Sequence, residues 1–334
     1  MKKVKALLKI PFLTAITLVS PFFIGCEDPE PEQTGYIQTV PQDTFPELGY
    51  DGPYFEDSIY FGREEYIEYH SGSLPIIISA GHGGWKEPTE IPDRTEGTTV
   101  TDINTCQLTK VIMDTLTALF GRKPHVIFCL LERLKLDANQ EIEEAAGGNL
   151  YAERAWAEYH HYLDIAKELV TMNHASGILF DIHGHGENPD GFYDLRTWLG
   201  YLIKGDELDL PDEELSTNTF KNKSSIRVLA DSSAYTFINI VRGSTSFGTI
   251  LDSLGYACVP SVNDLGPAGS RYFSGGYITV RHGSRDGGII SAVQVELPQP
   301  GIRDTEENWS SYASAFATAV GAYYFHHLGR SIQP

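Results

Sequence analysis

The run Gly177-Ile178-Leu179-Phe180-Asp181-Ile182-His183-Gly184-His185-Gly186 starts apolar and ends in one acid and two imidazoles set among glycines. A continuous apolar start suits a strand buried on both faces, the kind found in parallel sheets covered by helices. The two-residue period of a strand puts Asp181 and His183 on one face, and the chain leaves the sheet at Gly184. In open α/β sheets ligands collect beyond the carboxyl ends of the strands. An acid and a histidine at such an end are therefore candidates for chemistry, with Asp181 suited to steady a cation-binding imidazole from behind.

Working outward, Leu74 to Ala80, Val126 to Leu131, Thr197 to Ile203, Tyr277 to Arg281 and Ala292 to Leu297 also read as strands. Asp102 to Phe120, Asn149 to Met172, Ser246 to Gly255 and Thr305 to Leu328 read as helices, with Asp102 placed to cap the first and Gly255 to end the third. Strand and helix alternate without an internal repeat. The expected fold is α/β, a single domain over residues 58–334 with a central mixed, mostly parallel sheet flanked by helices.

The chain has 334 residues, 45 Asp+Glu against 25 Lys+Arg, and a formal net charge of -20, which argues against a nucleic-acid partner because phosphate binding draws on surplus Lys and Arg. Residues 1–25 carry Lys2, Lys3, Lys5 and Lys9 before an apolar stretch that reaches Phe23-Ile24-Gly25-Cys26, and they read as an export signal. A small residue before Cys resembles the bacterial lipoprotein cleavage box, so Cys26 is expected to carry lipid. The alternatives are a plain signal peptide or an uncleaved anchor. Residues 26–57 are acidic and hold Pro29, Pro31, Pro41, Pro46 and Pro53, as a tether would. The expected location is outside the cytoplasm, anchored to a bacterial membrane and facing the periplasm or the cell surface. Cys106, Cys129 and Cys258 lack the short spacing of a thiolate zinc site, and Cys129 and Cys258 lie in apolar runs.

The first strand runs into Gly81-His82-Gly83-Gly84, with Glu87 five residues after the histidine. Two buried strands thus each end in a histidine beside glycine. A zinc-type ion takes N and O ligands, three from the protein, with a further position left open. His82, Glu87 and His183 fill that count. Asp102 competes with Glu87 for the carboxylate place, and His185 competes with His183. On the last strand, Gln294 and Glu296 share one face among apolar neighbours. A carboxylate there costs several kcal/mol on roughly the polar-burial scale unless it has a partner or a task, and general base is the task that fits beside a metal. Otherwise the strand is a solvated edge. After the second strand, Arg133 could fork onto a carboxylate or polarise a carbonyl, with Asn139 adding a donor. Alternatively Arg133 pairs with Asp137 at the surface.

In this order the segments resemble the N-formylglutamate amidohydrolase family and the related poly-gamma-glutamate hydrolases, relatives of zinc carboxypeptidases. They are His82-Gly83-Gly84, Ile91-Pro92-Asp93-Arg94, the Arg133/Asp137/Asn139 run, Asp181-Ile182-His183-Gly184, Ser274-Gly275-Gly276-Tyr277-Ile278-Thr279 and Gln294-Val295-Glu296. The resemblance covers about residues 74 to 328. It implies that His82, Glu87 and His183 hold Zn²⁺, the His82-to-Glu87 spacing favouring Glu87 over Asp102. It also implies that Glu296 deprotonates the attacking water, and that Arg133 and Asn139 bind the substrate, with Arg133 steadying the developing oxyanion. Gln140 stands where the formylglutamate enzymes commonly carry a second Arg. The implied reaction is hydrolysis of an amide in an N-acyl amino acid, gamma-glutamyl or peptide substrate. Carboxypeptidase, peptidoglycan amidase and a non-catalytic surface binding lipoprotein are the rivals, and His282 has no assigned role.

Overall fold

The computed structural model describes residues 52–188, 191–329 and 332. The signal peptide, Cys26 and the tether up to residue 51 lie outside the described residues. Residues 52–57, read as the end of the tether, pack on the domain: the Tyr54 ring lies 4.9 Å from that of Tyr60, and the Phe55 N–H donates to the Tyr60 hydroxyl. Among the described residues no helix is long and apolar enough to cross a membrane.

Eight strands form one sheet: β1 (Ile59–Phe61), β2 (Ile67–His70), β3 (Ile76–Ala80), β4 (His125–Cys129), β5 (Gly177–His185), β6 (Thr197–Gly200), β7 (Cys258–Val259) and β8 (Ile290–Pro298). Their order across the sheet is β1-β2-β4-β3-β5-β8-β6-β7. The pairs β3–β4, β3–β5, β5–β8 and β6–β7 are parallel, whereas β1–β2, β2–β4 and β6–β8 are antiparallel. The sheet is therefore mixed and mostly parallel at its centre, as expected.

The helices are α1 (Thr105–Phe120), α2 (Ile142–Ala146), α3 (Leu150–Asn173), α4 (Gly205–Leu208), α5 (Asp212–Leu215), α6 (Asn218–Lys223), α7 (Arg227–Ser232), α8 (Phe237–Arg242), α9 (Phe247–Ser253), α10 (Tyr277–His282) and α11 (Glu306–Leu328). On one face of the sheet Leu108, Ile112 and Leu116 of α1 and Phe316, Val320 and Tyr323 of α11 join Ile76, Ile78, Phe180 and Val293 in one core cluster. On the other face Tyr159, Leu163 and Ala166 of α3 pack with Ile77, Ile127, Leu179 and Ala292. This alternation along β3, β5 and β8 explains why those runs are apolar throughout: both faces are covered. Asn149 caps α3, its Oδ1 accepting from the Tyr151 and Ala152 amides, and Ser246 and Thr305 cap α9 and α11.

Two expectations change. Tyr277 to Arg281 is a helical turn rather than a strand, because a run of five residues after Gly275-Gly276 is too short for its period to separate the two. Asp102 does not cap α1, whose N-cap is Asn104 in the left-handed region at φ 66°; its carboxylate turns inward. The antiparallel pair β1 and β2 was not anticipated, because Glu64, Glu65 and Glu68 interrupt the apolar pattern there.

Candidate metal centre and active site

The carboxyl ends of β3, β5 and β8 open into one cleft of about 620 Å³ whose lining includes His82, Asp102, Arg133, Asn139, His183 and Glu296. His82 follows β3, His183 lies near the end of β5, and Glu296 on β8 is the direct cross-strand partner of His183. Parallel register alone thus brings a β5 imidazole and a β8 carboxylate side by side.

The imidazoles converge through their Nδ1 atoms, which stand 3.0 Å apart. Asp102 Oδ2 lies 3.5 Å from Nδ1 of His82 and 3.4 Å from Nδ1 of His183. All three residues are buried, and their ligand atoms form a cluster able to hold a metal ion. Each ring is fixed from behind: His82 Nε2 donates to Asp137 Oδ1 at 2.6 Å, and His183 Nε2 to Asp181 Oδ2 at 2.8 Å. Carboxylates accept hydrogen bonds, so both Nε2 atoms carry their protons, and with a cation held between the rings both Nδ1 atoms would turn lone pairs to the same point. Without a cation, a proton on one Nδ1 serves the contact with the other ring and with Asp102. Burial acts against charge on His183, yet Asp181 and Asp102 hold its proton affinity well above that of an ordinary imidazole. Burial would likewise raise Asp102, but its hydrogen bonds to His183 and His82 hold it well below the usual carboxylate range. The site is built for positive charge, and two nitrogens with one carboxylate match the N/O donor set of zinc-type ions.

Glu87 does not join this group. It is exposed on the loop after Gly84, whereas the loop before α1 carries Asp102 to the imidazoles, where Oδ2 also accepts from the Gly184 amide at 3.0 Å. The carboxylate of the cluster is therefore Asp102. Gly184 permits the close approach of the other wall: a Cβ there would lie 2.4 Å from the guanidinium carbon of Arg303.

Arg133 is half-buried in the cleft, with Nε donating to Asp137 Oδ2 at 3.0 Å and one terminal nitrogen 3.7 Å from Asp102 Oδ1. It does pair with Asp137, but in the site rather than at the surface, since Asp137 is buried. The Asn139 amide nitrogen Nδ2 lies 3.5 Å from His183 Nε2, and its Oδ1 accepts from the Ile278 amide at 2.8 Å. Glu296 is buried and accepts from Gln294 Nε2 at 2.8 Å. Burial pushes its carboxyl up to about 7 against the pull of the His183 charge, with Asp102 adding to the rise. His185 stands apart from the cluster: it stacks on Trp198 at 3.9 Å and donates from Nε2 to the Arg196 carbonyl. Asp137 is the partner that sequence reasoning missed; its spacing of four from Arg133 was visible, its burial was not.

Among solved structures the chain is similar to N-formylglutamate amidohydrolase from Ralstonia eutropha JMP134, with 12% identity, 77% of this chain and 96% of that chain covered, and a TM-score of 0.44. It is similar to succinylglutamate desuccinylase from Chromobacterium violaceum at 13% identity, covering 81% of this chain and 70% of that one, with a TM-score of 0.36. For the catalytic domain of an N-acetylmuramoyl-L-alanine amidase from Bacillus (Paenibacillus) polymyxa var. colistinus the values are 10%, 75%, 98% and 0.32. No family model and no curated protein matches the chain. At these identities and TM-scores no activity is carried over from those proteins to this chain.

Proposed function

We propose that this chain is a zinc-dependent hydrolase of an amide bond in an N-acyl amino acid, gamma-glutamyl or peptide substrate, working outside the cytoplasm on a lipid anchor at Cys26. The observation that carries the reading is the convergence of His82 Nδ1, His183 Nδ1 and Asp102 Oδ2 beside the buried Glu296. A divalent cation held by these three would polarise the amide carbonyl and lower the pKa of water, chemistry that needs a neighbouring base. Glu296 is that base: with its proton affinity raised by burial, it takes a proton from the attacking water and hands it to the leaving nitrogen. Arg133, on the cleft wall, is placed to steady negative charge developing on the carbonyl oxygen. Asp137 and Asp181 keep both imidazoles turned with Nδ1 inward throughout. The export signal and Cys26 support the location.

The test is metal analysis of the purified protein, followed by hydrolysis of N-formyl, N-acetyl and gamma-glutamyl amides with and without chelator. Chelator-sensitive release of the amine supports the reading. A protein that retains no metal and cleaves none of these amides would instead be a surface binding protein of this fold.

A further inference from the structure

His160 and His282 are 1% and 0% exposed, and neither has a part in the chemistry above. They join α3 to α10. His282 Nε2 lies 2.9 Å from His160 Nδ1, and the rings stack with centroids 5.2 Å apart and planes 12° from parallel. Behind them, Asp164 Oδ1 is 3.3 Å from His282 Nδ1. The contact between the rings needs one N–H, so one imidazole donates to the other across it. The His160 ring also meets the Ala138 backbone, next to Asn139 in the chain. Burial keeps both rings neutral near pH 7, lowering His282 to about 4 and His160 well below the ordinary imidazole value. The charged groups facing the pair are Asp164 and Lys167 from α3 and Arg281 from α10, and Arg281 also lies over Trp156 at 5.3 Å.

α10 has six residues, too few for a helix to hold its own place, so its tertiary contacts position it. Its far end forms a wall of the cleft, where Gly275, Gly276 and Tyr277 are lining residues. There Asn139 Oδ1 holds the Ile278 amide, and a Cβ on Gly276 would fall 2.3 Å from Asn139 Nδ2, so backbone and carboxamide are in contact. The same Nδ2 faces His183 Nε2. Two buried imidazoles cost more than two packed leucines would, because each carries polar atoms that must be partnered. What they add is direction: a hydrogen bond fixes the rotation of α10 as an apolar contact does not.

Resting on the hydrolase reading, we propose that His160 and His282 form a clamp that positions the Gly275–Tyr277 wall and the Asn139 carboxamide against His183, which makes both positioning residues of the site. The metal cluster and Glu296 sit on or beside β3, β5 and β8, so breaking the clamp leaves metal binding intact and misplaces substrate.

The experiment compares wild type, His282→Leu, His282→Gln and His160→Ala for metal content, for the side-chain amide resonances of Asn139 in ¹⁵N-labelled protein, and for kcat and KM on the amide panel. His282→Leu and His160→Ala are expected to keep their metal, shift the Asn139 resonances and lose about tenfold to a hundredfold in kcat/KM, the scale of a small misplacement. His282→Gln, which retains a polar group at the Nε2 position, should recover most of that loss. Unchanged Asn139 resonances and unchanged kcat and KM in the folded, metal-loaded variants would overturn the clamp, even if stability fell. Should His282→Leu fail to fold, His160→Ala breaks the same bond from the other side. A wild type that cleaves no amide sinks the hydrolase reading, while the Asn139 resonances still settle whether the clamp exists.

Discussion

Nδ1 of His82 and Nδ1 of His183 point at each other across 3.0 Å, while the far nitrogen of each ring donates to a buried carboxylate of its own. Four acidic groups, Asp102, Asp137, Asp181 and Glu296, surround two imidazoles in a buried space. Arg133 offsets part of this charge through Asp137 and Asp102, and a cation at the imidazoles would offset more.

Metal binding should therefore depend on Asp102 and not on Glu87. Asp102→Ala is expected to lower zinc affinity by more than about a hundredfold, since it removes one of three donors. Glu87→Gln should leave affinity within about twofold, because Glu87 is exposed and outside the cluster. Competition titration against a chromophoric chelator measures both. Equal losses in the two variants would restore Glu87 as a ligand and remove Asp102 from that role.

The carboxylates behind the imidazoles should matter less than the ligands but measurably. Asp137→Asn and Asp181→Asn each keep the shape while weakening the acceptor that fixes Nε2–H, and about tenfold to a hundredfold in metal affinity is the expected cost. Asp181 also accepts from Ser79 Oγ at 2.7 Å, so Ser79→Ala should give a smaller loss in the same direction. The same titration reads these variants, and an affinity equal to wild type in both Asn variants would show that the rings need no such support.

How much of this could be read before folding differs from residue to residue. His82 and His183 were legible because each follows a long apolar run at a glycine, and parallel strands put such ends together. Glu296 was legible as a charge at a buried strand position. Asp102 stood as a rival to Glu87 but ranked behind it, because its place just before an amphipathic helix is also where a cap would stand, and local pattern cannot tell a capping carboxylate from one turned inward by tertiary contacts. Asp137 was legible as a partner of Arg133 but not as the buried acceptor behind His82, because that contact spans 55 residues and no periodicity encodes it. α10 was misread as a strand because five residues support either period.

Glu296→Gln should separate metal binding from turnover. The amide keeps the volume and can still meet Gln294, but it cannot take a proton from water. A fall in kcat of about 10² to 10⁴, with zinc content unchanged, is the expected result for loss of a general base. Full activity in this variant would exclude Glu296 from proton transfer and leave the cleft without its assigned base.

Acid should destabilise the fold through buried neutral histidines, and His125 on β4 gives the clearest case. Its Nδ1 receives hydrogen bonds from the Tyr69 hydroxyl at 2.9 Å and the Gly72 amide at 3.2 Å, so that nitrogen has no room for a proton. Burial lowers its pKa to about 3, from an ordinary value of 6.5. Between those values the unfolded chain binds a proton at this position and the folded chain does not. Stability from His125 is thus complete above about pH 6.5 and drains away as pH falls toward 3, with a limiting slope of about 1.4 kcal/mol per pH unit for the one proton. His185 and His282, both lowered to about 4 by burial, add to the same slope. His125→Asn keeps an acceptor at the Nδ1 position for Gly72 but cannot titrate. Urea unfolding measured from pH 7 to pH 4 should show a shallower fall in that variant, by close to one proton's worth. Parallel curves for variant and wild type would mean that His125 titrates alike in the folded and unfolded chain, contrary to its burial beneath Tyr69.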